Sequence, residues 1–160
     1  MSEFTSEPGG AVRVRFEEHE ADVIRNLLSE MHAMLDSGRS GDPVMERLFP
    51  RAYTEESDEE AYKELLGSDL EASKKKALDM VAQSIRESGP VDTPLSTEQA
   101  NEWLAALNDI RLAIGTRLDV SEETMSQELD PDDEKSPAMA VLHWLGWVQE
   151  SIIDRISRQE

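Results

Sequence analysis

Cysteine is absent from this 160-residue chain. That removes disulfides, thiolate metal sites and cysteine nucleophiles together, and it fits a reducing compartment, so a cytoplasmic location is expected. Positive charge is scarce. There are 16 Lys and Arg against 35 Asp and Glu, for a formal net charge of -19. A chain this acidic is repelled by phosphate backbones and anionic membranes, which argues against direct binding to nucleic acid. The positive reading is affinity for a basic protein partner; the plainer one is solubility. No run of eighteen apolar residues is present, so no membrane span is expected. The opening MSEFTSEPGG has no basic segment followed by an apolar one and does not read as a secretory signal. Residues 1–10 are expected to be a disordered lead, and residues 11–158 one domain with an acidic loop at about 128–135.

Apolar content is 38%, enough for a charged-surface fold with a proper core. The clearest element spans about 96–118. Ser96 and Gln99 have the spacing of a capping box. Ala100, Trp103, Leu107, Ile110 and Ile114 then recur at helical intervals. Ala105 and Leu112 fall on the opposite side. A helix apolar on both sides belongs in the middle of a domain, so the others are expected to pack around this one.

The remaining elements follow in order. AVRVRF at 11–16 alternates as a half-buried strand, with Arg13 and Arg15 facing away from the core, where they could read phosphate but more often meet local carboxylates or protect a sheet edge. A helix is expected over Glu17–Asp36, with Ile24, Leu27, Leu28, Met31, Met34 and Leu35 inward. Asp42-Pro43 opens another, ended by Pro50, and Ser57 with Glu60 caps a third. Asp69–Ser88 reads as a helix whose Lys74-Lys75-Lys76 run is a solvated face making weak pairs. Val91, Thr93 and Leu95 alternate around Pro94, the one plausible strand partner for residues 11–16. The fold class is therefore mostly α: a single-domain helical bundle around the central helix, with a small two-stranded β-ribbon at about 11–16 and 91–95. A short echo links the two strand-to-helix junctions, with Ala21 matching Ala100, Ile24 matching Trp103 and Leu28 matching Leu107. Ser121 caps a short helix before the acidic stretch, which lacks the glycine and terminal glutamate of an EF-hand loop. Ser136-Pro137 opens the last helix.

The candidate polar residues are Asn108, Asp109, Arg111 and Arg117 on the central helix. Groups this close to an apolar stripe need partners. They are either a structural network, the favoured reading, or the lining of an anion or peptide-terminus pocket. Gly115 is expected to admit a neighbouring helix. Trp144 and Trp147 on the last helix are core residues or interface anchors. His32 and Asp36 lie one turn apart, but no second pair accompanies them, and no phosphate loop, dinucleotide motif or nucleophile elbow is present. No catalytic residue, metal or cofactor is expected.

The segments WLAALNDIRLAIGTRLDV and HWLGWVQESI, with VRVRFEEHEADVIRNLLSEM, DPVMERLFPRAY and VDTPLS, resemble an actinobacterial family of unknown function whose genes commonly sit beside that of the Clp protease adaptor ClpS. The resemblance runs from about Val12 to Ile156. It implies a mostly helical cytoplasmic protein, some relatives of which are labelled regulators, and it hints at regulated proteolysis. Two function classes follow. One is a non-enzymatic interaction or regulatory module that binds a protein partner or forms a homodimer. The other is a transcriptional regulator acting directly or through a DNA-binding partner, which the charge disfavours in its direct form.

Overall fold

A computed structural model describes residues 2–37, 44, 48, 68–117 and 136–157. Among the described residues there are three short strands and four long helices, in the order β1 (Glu3–Ser6), β2 (Val12–Phe16), α1 (Glu18–Ser37), α2 (Ser68–Ile85), β3 (Val91–Leu95), α3 (Thr97–Arg117) and α4 (Ser136–Ser157). The strands form one antiparallel sheet in the order β1-β2-β3. The helical domain with a small β element is as expected from the sequence.

Two expectations are corrected here. The ribbon has a third strand, and that strand lies inside the lead read as disordered. Glu3 pairs with Arg15, Phe4 with Val14, Thr5 with Arg13 and Ser6 with Val12. A tight turn makes this possible. Pro8–Gly10 forms a single 3-10 turn, with Gly9 at φ 80° and Gly10 at φ 84°, which side chains with a Cβ rarely adopt. The Glu7 amide closes the turn on the Ala11 carbonyl at 2.9 Å. Phe4 then points inward and is buried at the end of the core.

The sheet lies with one face on the helices. Val12, Val14 and Phe16 of β2 and Val91 and Leu95 of β3 are all buried. The other face carries an ion-pair ladder: Arg13 reaches Glu7 and Asp92, both at 2.8 Å, and Arg15 reaches Glu3 at 3.3 Å. The two arginines thus meet local carboxylates, as their alternation predicts.

Helix boundaries follow from local chemistry. At α3 the capping box is closed both ways: the Ser96 amide donates to Gln99 Oε1 at 2.8 Å, and the Gln99 amide to Ser96 Oγ at 3.1 Å. At α1 the Glu17 amide donates to Glu20 Oε1 at 2.9 Å, so glutamate takes the place of glutamine in the same local device. Ala21 and Ala100, Ile24 and Trp103, and Leu28 and Leu107 are buried pairwise, so the sequence echo is a repeated strand-to-helix junction packed against one core. Helix α2 ends at Ile85, three residues before the expected Ser88. Arg86 takes a left-handed φ of 62°, and Arg25 clamps the exit by donating to the carbonyls of Ile85, Arg86 and Gly89.

Helix α3 is the central element, packed against α2, α4 and α1. Trp103, Leu107 and Ile110 are fully buried on it. Its second apolar side is less buried than the pattern suggests: Leu112 is half-buried and Ala105 exposed. Val44 and Leu48 are helical and buried. The rest of the helices expected around 42–49 and 57–66, the short helix after Ser121 and the acidic loop at 128–135 lie outside the described residues.

Candidate functional site

The polar residues of α3 are not brought together. Asp109 is buried and accepts from Lys74 Nζ of α2 at 2.9 Å. Lys74 is itself largely covered, so one member of the basic run is a core partner, not part of a solvated face. Lys75 pairs with Asp36 at 2.8 Å and Glu71 at 3.1 Å. Those hydrogen bonds raise the Lys75 pKa and hold Asp36 below its ordinary value. Arg111 turns the other way, to α4. Its Nη1 donates to Gln149 Oε1 at 2.8 Å, and Gln149 passes the contact on by donating to the Leu104 carbonyl at 3.2 Å. Asn108 is exposed.

Arg117 stands exposed at the far end of α3, with Nη2 4.0 Å from Met34 Sδ. It borders a cleft of about 260 Å³ between α1 and α3, floored by Met31, Ile110 and Ala113. Arg111 and Arg117, six positions apart, project from different sides of the helix. The close approach expected at Gly115 occurs at Gly146 instead. Among the described residues nothing stands within 4 Å of where a Gly115 Cβ would sit, whereas a Gly146 Cβ would be 3.2 Å from Arg111 Nη2. His32 does not pair with Asp36; its Nε2 lies 2.8 Å from Asp79.

A different surface has the makings of a binding site. Trp144 is half-buried, edge-on to Phe16 at 6.0 Å, and Phe16 in turn stacks on Trp103 at 5.9 Å. Trp147 is 43% exposed and packs edge-to-face on Phe4, with ring centroids 5.5 Å apart. The indole thus keeps part of its surface in water while it is held against the sheet. Beside it runs a cleft of about 330 Å³, walled by β1 on one side and by Trp147, Ser151, Asp154 and Arg155 of α4 on the other. Glu150 is exposed on the same face of the helix, within about 60° of Trp147 at 100° per residue. This cleft lies at a sheet edge, next to an aromatic anchor, with Glu3 and Asp154 against one cation, Arg155, in its lining.

A family model for a domain of unknown function, DUF2017, matches residues 1–156. The chain belongs to this family. Relatives in Mycobacterium bovis and in two strains of Mycobacterium tuberculosis, each named oxidative stress regulator AosR, are 25% identical over 170 aligned residues, which cover 84% of this chain and 77% of the relative. No solved structure matches the chain.

In this DUF2017 chain, sequence reasoning reached the two tryptophans but missed the strand that makes their surroundings a cleft. The signal was Pro8-Gly9-Gly10 between EFTS and VRVRF, a turn between two extended pieces. Gln149 and Gly146 were also missed. No local pattern marks them, because their partner Arg111 lies on another helix.

Proposed function

We propose that this chain is a regulatory module that works by binding another protein and performs no catalysis of its own. The observation that carries this reading is the surface at Trp147: a half-exposed indole, pinned by Phe4, over a cleft beside a sheet edge. Large aromatics that stay partly in water while they are packed against the fold are frequent anchors of protein interfaces. The regulatory part is supported by the name of the mycobacterial relatives. The net charge of -19 favours a partner with a basic contact surface. With no cysteine, the chain has no thiol to oxidise, so a response to oxidants by thiol chemistry would belong to the partner. A component of regulated proteolysis is one partner class, supported solely by the gene neighbourhood of the family that the sequence resembles.

The second reading is a regulator that touches DNA directly. Lys74 and Lys75, the core of the basic run, are held by Asp109, Asp36 and Glu71, which leaves little of that run for phosphate. Two experiments separate the readings. Affinity capture at low and moderate salt is expected to retain one recurring protein on the wild type and to lose it on Trp147→Ala. A gel shift with unspecific duplex DNA at physiological salt is expected to show no complex; a stable one would overturn the protein-binding reading as stated.

A further inference from the structure

The two edges of the sheet are not equivalent, and the difference follows from the hydrogen-bond parity of the ladder. Glu7 donates to Ala11 across the turn, so Thr5–Arg13 and Glu3–Arg15, each two residues further along, are the hydrogen-bonded pairs. The amide and carbonyl of Thr5 and Glu3 therefore point at β2. Those of Phe4 and Ser6 point out of the sheet. On β2 the groups of Val12, Val14 and Phe16 consequently face β3, where they meet Leu95, Thr93 and Val91. The outward groups of β3 belong to Asp92 and Pro94. Proline has no donor, so that edge is blunted against a further strand. The β1 edge has both donors and both acceptors, and it opens on the cleft with Trp147.

We infer that β1 takes up an extended, basic segment of a partner protein as a fourth strand. This rests on the reading of the Trp147 surface as a protein-binding site. Phe4 and Ser6 supply the main-chain hydrogen bonds, the usual source of affinity in strand addition. Side chains on the inner face of the added strand lie beside the exposed part of the Trp147 indole, apolar surface along which the stem of a long cationic side chain packs. Glu150 and Asp154 flank it on α4, against the single cation Arg155 in the cleft wall. Lysine or arginine at alternate positions is the chemistry that fits. A second copy of this chain is the poorer occupant, because each copy carries a net charge of -19 and would bring further carboxylates to the cleft.

The test uses the full chain and an end-capped hexapeptide of alternating valine and arginine, with fluorescence anisotropy for affinity and amide chemical shifts for position. Two control peptides are needed: one N-methylated at every second residue, so that one edge cannot pair, and one with glutamate for arginine. The expected result is binding that shifts the Phe4 and Ser6 amides, weakens about tenfold or more on N-methylation, and is lost with the acidic peptide. Glu150→Lys is expected to weaken binding several-fold; the residue is exposed, so the fold is kept. Equal binding of the N-methylated peptide, or shifts confined to other surfaces, would overturn strand addition. If a natural partner captured by the wild type is lost on Trp147→Ala but ignores the competing hexapeptide, the protein-binding site stands and strand addition falls. Sedimentation as a dimer with slow exchange at Phe4 and Ser6 would give the edge to a second copy and overturn the inference.

Discussion

Phe4 and Trp147 meet edge to face at 5.5 Å with 72° between their rings, joining the first strand of the chain to its last helix. Phe4 is buried and Trp147 is not, so truncating each has a different consequence. Phe4→Ala opens a hole at the end of the core and unseats β1. A loss of about 2–4 kcal/mol is expected, read by chemical denaturation. Trp147→Ala removes a half-exposed ring and is expected to cost about 1–2 kcal/mol while abolishing partner capture. Equal stability losses in the two variants would show that Trp147 is a core residue and not a surface anchor.

The Lys74–Asp109 pair is expected to behave as a covered ion pair. Lys74→Met leaves the Asp109 carboxylate without its ammonium partner in a site where little water reaches it. The expected cost is about 2–3 kcal/mol. The double variant Lys74→Met with Asp109→Leu removes both charges and is expected to recover most of that loss. A double-mutant cycle checks this; additive losses would place the pair in effective contact with solvent.

Two glycines in helices give opposite expectations. Gly115→Ala meets no described atom within 4 Å and gains helix propensity, so stability is expected to rise by about 0.5–1 kcal/mol. Gly146→Ala pushes on the Arg111 guanidinium at 3.2 Å and disturbs its bond to Gln149, offsetting the same gain. Thermal unfolding of the two variants side by side would show it, and a stabilised Gly146→Ala would mean that Arg111 moves aside freely.

Asp92 sits under Arg13 and Arg15 on the outer face of the sheet. The hydrogen bond from Arg13, with a further one from Arg15, holds its carboxyl below the ordinary 3.8. A carboxyl with a lower pKa in the folded state stabilises the fold above its unfolded value, and that contribution is lost as pH falls through the folded one. The loss is thus expected below about pH 3.8. A carboxyl carbon NMR titration is expected to place Asp92 below the ordinary 3.8, and Arg13→Ala to bring it back towards that value. An unchanged midpoint in that variant would remove Arg13 as the cause.

Much of the fold was legible because it follows from local rules. The capping box at Ser96 and Gln99, the alternation at Val12 to Phe16 and the helical recurrence of Ile24, Leu28, Met31 and Leu35 each act over one turn or one strand. What escaped depends on partners distant in sequence. Arg111 was readable as a polar residue in need of a partner, but not that the partner is Gln149. Lys74 looked like surface because its two neighbours are lysines, whereas the contact that covers it comes from Asp109 on α3. The strand at Glu3–Ser6 was too short to carry a periodicity, and only its turn announced it. The candidate site was half legible for the same reason: the tryptophans are visible in the sequence, the cleft beside them is not.

The most direct test of the central claim is photocrosslinking from position 147. A photoreactive phenylalanine analogue replaces Trp147 in one chain and exposed Ala33 of α1 in another, and both are expressed in the source cell. The account predicts one discrete protein adduct from position 147, not formed from position 33, and weakened when Glu150→Lys is added. Identical adducts from both positions, or none from position 147 in cells where the protein is abundant and folded, would contradict it.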